Sequence, residues 1–170
     1  GAEPSRHHLY KAVFKEWHIV EPVSPAATFE LQDYYQHPEK YQGVFEQYIP
    51  HLTVLVNAIF WSAKYPRLAT KAYLKEMFGG AKPRLRVIGD ISCDVEGAIE
   101  CTVKATSPGD PLFVYEPLTG DVVDGHEGPG VARARPGLVL ERVAGPAGLG
   151  AHVLGHGPFR RLLRQRRPDQ

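Results

Sequence analysis

The residues best suited to chemistry lie between Gly89 and Gly97, where the sequence reads Gly-Asp-Ile-Ser-Cys-Asp-Val-Glu-Gly. This stretch places two carboxylates, Asp90 and Asp94, beside a hydroxyl and a thiol. It directly follows an apolar segment that predicts a buried strand, and open α/β sheets bind ligands beyond the carboxyl ends of their strands. A second interpretation stays open, in which the stretch is an acidic turn that caps a helix, since Asp and Ser do this routinely.

One more polar residue, Asn57, occurs late in an earlier apolar segment, at a point that can face the same crevice. A buried asparagine is more often a structural amide whose hydrogen bonds are satisfied inside the protein. From the residues alone, we favour that structural role.

These side chains meet only if the flanking segments form a parallel sheet, and the sequence predicts one. Residues 52–60 are apolar and β-branched with little polar alternation, which is typical of a strand covered on both faces. Thr70 is a good N-cap for a helix over 71–78 that stops at a pair of glycines. Residues 85–88 predict the next short buried strand. Strand, helix and strand in this order favour a right-handed parallel crossover.

The first fifty residues predict mostly helix. The spacing of apolar residues over 7–19 is helical. The prolines within 21–27 predict a loop. Pro38 can open a second helix at its first turn, and Pro50 is expected to end it.

The character of the chain changes late in the sequence. Strands are expected at 99–105 and 112–116, with a turn at Thr119 and Gly120. After Val131, Ala, Gly, Pro and Arg fill 23 of the last 40 positions. Residues 1–130 carry a net charge of −5, whereas the last forty carry +6. A charge asymmetry this sharp indicates a boundary.

The sequence therefore predicts two parts. Residues 1–131 form one α/β domain, and residues 132–170 form a low-complexity tail that is expected to be disordered because it offers little apolar surface to bury. The arginines of 160–167 form a basic cluster of the kind that binds nucleic acid. A solvated tail is the commoner explanation, so no nucleic-acid partner is predicted.

Composition narrows the class of protein. With 43% hydrophobic and 23% charged residues, the chain has the make-up of a soluble globular protein. No apolar run reaches the ~18–20 residues needed to cross a bilayer, so no membrane partner is expected. Two cysteines are too few for a disulfide framework and favour a reducing compartment. The predicted location is the cytoplasm, with the mitochondrial matrix as the alternative.

Metal and dinucleotide motifs are weak. Cys93 and Cys101 are separated by seven residues, a spacing that matches no usual zinc site. His152 and His156 lack the intervening glutamate of a zinc-protease motif. A complete glycine-rich dinucleotide fingerprint is absent from the chain. No metal ligands are therefore predicted.

Several stretches together resemble the lysine–2-oxoglutarate reductase domain of the saccharopine pathway, which is the N-terminal half of bifunctional α-aminoadipic semialdehyde synthase. The resemblance extends from about residue 7 to Val131, and its last stretch is highly specific to this family. The stretches are Phe29–Tyr41, Tyr48–Trp61, Lys64–Leu68 and Arg86–Glu100.

The resemblance implies a fold. The family is similar to alanine dehydrogenase and the proton-pumping transhydrogenases, with two Rossmann-like lobes and the active site between them. The chain would then hold a partial Rossmann-like parallel sheet with flanking helices, corresponding to the C-terminal part of that fold.

The resemblance also implies site residues. Asp94 matches the functional aspartate of the alanine dehydrogenase loop that places a carboxylate beside the nicotinamide, and is the expected catalytic residue. The expected cofactor contacts are Asn57, Ile59, Phe60 and Ile91. The expected contacts with the amino-acid product are Ser92, Cys93 and Asp94.

The family reaction condenses the ε-amine of L-lysine with 2-oxoglutarate, and NADPH then delivers hydride to the imine to form saccharopine. The family's acid–base lysine and histidine and its phosphate loop correspond to positions upstream of Gly1. The chain is therefore expected to act only as part of a longer oxidoreductase, for which a homo-oligomeric assembly is left open. The open alternative is a non-catalytic remnant or regulatory partner of a complete reductase.

Overall fold

Short strands dominate the fold. The computed structural model describes residues 7–80, 83–92, 94–107 and 110–124, and the backbone of 138–141 and 152–155. The strands and α-helices in chain order are β1 (Lys11–Val13), α1 (Glu16–Ile19), β2 (Val20–Pro22), α2 (Leu31–Gln36), β3 (Tyr41–Gly43), β4 (Leu52–Asn57), α3 (Lys71–Gly79), β5 (Val87–Asp90), β6 (Leu112–Tyr115), β7 (Val122–Asp124), β8 (Leu138–Glu141) and β9 (His152–Gly155). Two 3-10 helices, Pro38–Lys40 and Phe45–His51, complete the set.

The unit that carries the site is β4, α3 and β5. Strands β4 and β5 pair in parallel, with Asn57 opposite Asp90 at their carboxyl ends. The helix between them begins as predicted, since the Thr70 hydroxyl accepts a hydrogen bond from the backbone N–H of Tyr73. The predicted strand–helix–strand unit is confirmed. Strand β5 is shifted two residues along the chain from the predicted 85–88, because Gly89 and Asp90 pair with Val56 and Asn57 of β4.

The sheet around this unit is mixed. Its strand order is β1-β9-β4-β5-β8-β6-β7. Strands β4, β5 and β8 pair in parallel, whereas β9, β6 and β7 join by antiparallel pairing. The described residues thus form a mixed α/β fold with short parallel and antiparallel strand pairs. The finer expectation, a Rossmann-like sheet of the alanine dehydrogenase type, stays a prediction.

Two strands come from the segment that we expected to be disordered. Strand β8 lies between β5 and β6, and β9 lies between β1 and β4. The expectation of disorder is wrong for these eight residues, because pairing on both sides supplies hydrogen bonds that composition does not reveal. The remainder of 132–170 and the predicted boundary at residue 131 lie outside the described residues.

The helix expected over 7–19 is wrong for most of its length. Strand β1 occupies its middle and pairs with β9, and only α1 is helical. Leu9, expected on the apolar face, is 79% exposed. Pairing between distant strands has overridden the local apolar spacing.

The second predicted helix is also interrupted. It begins at Pro38 as a 3-10 turn, but Tyr41–Gly43 then forms β3, which pairs with β2. The chain returns to a 3-10 helix at Phe45–His51, which includes Pro50. The loop expected over 21–27 is wrong for its first two residues, which belong to β2 because that strand pairs with β3.

After β5, one of the two predicted strands is confirmed and the other is wrong. The strand expected at 112–116 is confirmed as β6, and the turn at Gly120 is confirmed by its φ of 81°. The strand expected at 99–105 is wrong, since the segment makes only an isolated bridge from Ile99 to Ala69. The backbone hydrogen bonds of this segment join it to loop residues and not to a strand.

The main cluster of buried apolar side chains packs around the strands and the helix that carry the site. It contains residues of β4, β5, α3 and the second 3-10 helix, together with residues just after β1, just before β5 and after the acidic loop: Phe14, Phe45, Tyr48, Ile49, Leu52, Leu55, Leu74, Leu85, Ile88, Ile99 and Cys101. A smaller cluster beside β2 and β3 contains Val20, Tyr34 and Tyr41. No helix in the described part of the chain is long and apolar enough to span a membrane.

The position of β8 and β9 predicts the effect of truncation. A chain ending at Val131 loses both strands, so β5 and β6 lose their shared partner. Its free energy of unfolding in urea should fall by several kcal/mol, because each hydrogen bond contributes about 1 kcal/mol net. A chain ending at Gly155 retains both strands and is the control. Equal stability of the 131-residue and 170-residue chains would show that the tail lies outside the fold.

Candidate functional site

The candidate site begins where β4 and β5 end. Asn57 closes β4 and Asp90 closes β5, and both are buried, with 0% and 3% of their surfaces exposed. The Asn57 Nδ2 donates a hydrogen bond of 2.8 Å to Asp90 Oδ1. The parallel register therefore places an amide against a carboxylate at the edge of the sheet where ligands bind in α/β folds.

Four side chains form what we call the Asp90 cluster: Asn57, Asp90, Ser92 and Thr102. The Ser92 hydroxyl donates to Asp90 Oδ1 at 2.7 Å and accepts from Asn57 Nδ2 at 2.8 Å. The Thr102 hydroxyl donates to Asp90 Oδ2 at 2.6 Å. A buried carboxylate is costly unless it is hydrogen-bonded, and these three donors provide that compensation.

Asp94 lies in a tight turn just beyond the cluster. Its backbone carbonyl accepts a hydrogen bond of 2.9 Å from the N–H of Gly97, and Glu96 between them has a φ of 52°. The side chain of Asp94 is half-buried, and its carboxylate has no hydrogen-bond partner among the described residues. Of the two aspartates in the loop, Asp94 is the one whose carboxylate is available to a ligand.

Gly97 is required by the close packing of this turn. A Cβ at that position would overlap the Asp94 side chain, lie 2.9 Å from the Asp94 carbonyl oxygen and lie 3.3 Å from the Trp61 ring. Trp61 is itself fixed, since its indole N–H donates to the carbonyl groups of Tyr65 and Pro66 at 3.1 and 3.2 Å. The turn is thus packed against a rigid aromatic side chain.

The outer side of the loop is held by charged residues at the start of α3. Lys71 forms an ion pair with Glu96, and Arg67 donates to the Glu96 carbonyl oxygen at 3.1 Å. The carboxylate of Glu100 accepts from the backbone N–H of Lys71 at 2.8 Å. The hydrogen bond from Lys71 lowers the pKa of Glu96, so this contact weakens as the pH falls through that pKa.

The expected cofactor contacts have different surroundings. Phe60 is 83% exposed, whereas Ile59 is partly buried against the core. The backbone N–H of Ile91 donates to the Asn57 carbonyl oxygen at 2.7 Å, which ties the loop to β4. The side-chain nitrogen of Asn57 donates to Asp90 and Ser92 inside the cluster, as in the structural alternative. Cys93 lies outside the described residues.

Thr102 is the residue that sequence inspection missed. It lies 12 residues after Asp90, in a segment expected to be a strand, and no motif links the two. Only the return of the chain over the site brings them together.

Cys101, next to it, is fully buried. Burial raises the pKa of its thiol to about 12, and the nearby Asp90 charge acts in the same direction. No group of three His, Cys, Asp or Glu side chains in the described ranges is arranged to hold a metal ion.

No protein-family model matches the chain. Curated relatives do match. The chain is 34% identical over 128 residues to an alpha-aminoadipic semialdehyde synthase of Arabidopsis thaliana, an alignment covering 74% of this chain and 12% of that protein. The Bos taurus and Mus musculus proteins, named alpha-aminoadipic semialdehyde synthase, mitochondrial, are 28% and 27% identical over 145 residues.

The chain is homologous to a segment of the alpha-aminoadipic semialdehyde synthases. The two mammalian alignments cover 77% of this chain and 14% of each relative. The chain thus spans about an eighth of the length of the curated relatives it matches. This similarity supports the resemblance to that protein family, and the narrower assignment to its lysine–2-oxoglutarate reductase domain stays a prediction.

The packing around Gly97 predicts a local weak point. Gly97→Ala should lower the free energy of unfolding by about 1–3 kcal/mol, because the new methyl group meets backbone that cannot move away. Gly79→Ala is the matched control, since its Cβ would meet only Leu118 at 3.7 Å. Urea unfolding of both variants tests this, and equal stabilities would contradict the packing argument.

The burial of Cys101 predicts its reactivity. In the folded chain at pH 8.5, iodoacetamide should leave Cys101 unmodified, and in urea it should react fully, as located by mass spectrometry. The unfolded thiol ionises above about pH 8.5 and the folded one does not, so this group makes stability fall as the pH rises. A Cys101→Ala variant should show a smaller loss between pH 7.5 and 10. Rapid labelling of the native thiol would contradict its burial.

Proposed function

We propose that this chain is part of a lysine–2-oxoglutarate reductase that forms saccharopine with NADPH. The observation that carries the proposal is the half-buried carboxylate of Asp94, without a partner among the described residues and beyond the carboxyl end of β5. The homology to alpha-aminoadipic semialdehyde synthase supports the choice of lysine as substrate. The proposed chain would work only within a longer protein.

The reaction requires a site for positive charge. The lysine ε-amine enters the overall reaction as an ammonium ion, and its condensation with the ketone of 2-oxoglutarate releases one water and leaves a cationic imine that carries the same charge. The cofactor supplies the hydride that reduces the imine carbon to the secondary amine of saccharopine. A carboxylate at the position of Asp94 orients the cationic nitrogen through a charge-assisted hydrogen bond and stabilises its charge.

Ser92 is suited to the same substrate group. Its hydroxyl hydrogen is donated to Asp90, and one of its lone pairs accepts from Asn57. One lone pair remains, so Ser92 can only accept a hydrogen bond from a ligand. An acceptor beside a carboxylate fits the N–H groups of a cationic amine.

The cofactor contacts are proposed with different roles. Phe60 offers an exposed aromatic surface just past β4, where a nicotinamide or ribose can pack. Asn57 is buried and its side-chain nitrogen donates to Asp90 and Ser92, so its contribution is to hold the two strand ends together. Ile59 and Ile91, both partly buried, would add apolar contact. Cys93 is proposed with Ser92 on the amino-acid side by family resemblance alone.

The proposed location follows the relatives. The names of the bovine and mouse proteins include the word mitochondrial, whereas the name of the Arabidopsis protein gives no location, and the two mammalian names support the mitochondrial alternative for this chain. L-lysine, 2-oxoglutarate and saccharopine are the proposed small-molecule partners.

An activity assay tests the proposal. NADPH oxidation with L-lysine and 2-oxoglutarate is measured for the 170-residue chain and for the longest natural protein that contains it. The longer protein should turn over and the chain alone should not. In the longer protein, Asp94→Asn should lower kcat by about 10²–10³, the usual loss when one charge-stabilising group is removed.

Asp110→Asn is the matched control, because Asp110 is an exposed aspartate on another loop. It should retain the wild-type kcat. Turnover by the 170-residue chain would defeat the proposal that it needs a longer protein. A longer protein that folds but shows no turnover would favour the non-catalytic alternative.

A further inference from the structure

Asp90 and Asp94 lie in different environments. Asp90 is 3% exposed and receives hydrogen bonds from three separate parts of the chain. Asn57 is 33 residues away, Thr102 is 12 residues away, and Ser92 is on the loop itself. Both carboxylate oxygens are therefore directed at internal donors, which leaves Asp90 without a direct role toward substrate.

Two hydrogen bonds join Thr102 to Asp90 and to Glu96. Thr102 meets the loop twice, since its hydroxyl donates to Asp90 Oδ2 at 2.6 Å and its carbonyl oxygen accepts from the N–H of Glu96 at 2.8 Å. The residues before Thr102 are fixed to the loop ahead of α3, where the Ala98 carbonyl accepts from Leu68 at 2.8 Å. The loop is thus held at both its start and its return.

The hydrogen bond from Ser92 to Asp90 determines whether the Ser92 hydroxyl donates to a ligand or accepts from it. Because Asp90 accepts the Ser92 proton, that hydroxyl has no hydrogen left to donate and can only accept from a ligand. Without a strong acceptor at position 90, the Ser92 hydroxyl is free to rotate and donate. Asp90 thereby influences a neighbour that the proposed reaction uses.

We infer that Asp90 is a positioning residue: clamped by Asn57 and Thr102, its carboxylate fixes the 91–97 loop so that Ser92 and Asp94 meet the cationic nitrogen of the substrate together. This inference rests on the proposed function for its catalytic consequence. Its structural half, the clamping of the loop, stands on the hydrogen bonds alone.

The hydrogen bonds suggest four informative variants. In Asp90→Asn, the amide oxygen still accepts from Asn57 and Ser92, and the new NH₂ group donates to Thr102, whose hydroxyl also accepts. Asp90→Ala removes all three bonds. Thr102→Val removes one bond and retains the carboxylate, and Thr102→Ser restores the hydroxyl. Clamping by hydrogen bonds thus separates the four variants into two that retain it and two that lose it.

Amide hydrogen exchange of the 170-residue chain tests the clamp. In Asp90→Ala and Thr102→Val, exchange at Glu96 and Gly97 should accelerate by roughly 5–10-fold for each bond lost, relative to exchange at Ile88 within β5. Asp90→Asn and Thr102→Ser should resemble the wild type. If Asp90→Ala does not fold, Thr102→Val decides the question. Unchanged loop exchange in Thr102→Val would overturn the inference.

Kinetics of the longer protein test the catalytic half. Thr102→Val should lower kcat by roughly 10²-fold with a small change in KM for NADPH, because a displaced loop misplaces Asp94. Asp90→Asn should stay within a few-fold of wild type. Equal damage by Asp90→Asn and Asp90→Ala would show that the charge of Asp90 acts directly, which overturns a positioning role. A wild-type protein without turnover would defeat the proposed function, while hydrogen exchange would still judge the clamp.

Discussion

The structure depends most on the burial of one carboxylate at the end of a parallel strand. Asp90 cannot be buried without donors, and those donors come from β4, from the loop that follows β5 and from the segment that returns at Thr102. Each of these three elements is thereby fixed relative to the others. A single charge thus determines the arrangement of the whole candidate site.

Around this charge, the loop has an inner and an outer anchor. The inner anchor is the Asp90 cluster, and the outer anchor is the Lys71–Glu96 ion pair with Arg67 above the Trp61 ring at 5.3 Å. The side chains of Lys71 and Glu96 are 35% and 54% exposed, and ion pairs that water reaches contribute little. The buried cluster and the packing of Gly97 therefore account for most of the order of the loop. Between the two anchors, the carboxylate of Asp94 makes no hydrogen bond to the described residues.

This division gives the two aspartates of the loop distinct properties. One is buried, with its oxygens bonded inside the protein, and the other is half-buried with its oxygens available. Available carboxylates on a rigid loop are suited to bind a cationic group because no rearrangement is needed when the ligand arrives.

The sequence by itself determined the features that depend on neighbouring residues. The apolar run of β4, the Thr70 cap of α3 and the acidic loop after β5 were all predicted, because strand composition, capping and turn formation are local. Tertiary structure alone decided which aspartate is buried, that Thr102 reaches Asp90, and that residues 11–13 and 138–141 are strands. These depend on pairing between distant segments, and the free energy of such pairing is not encoded in the spacing of nearby residues.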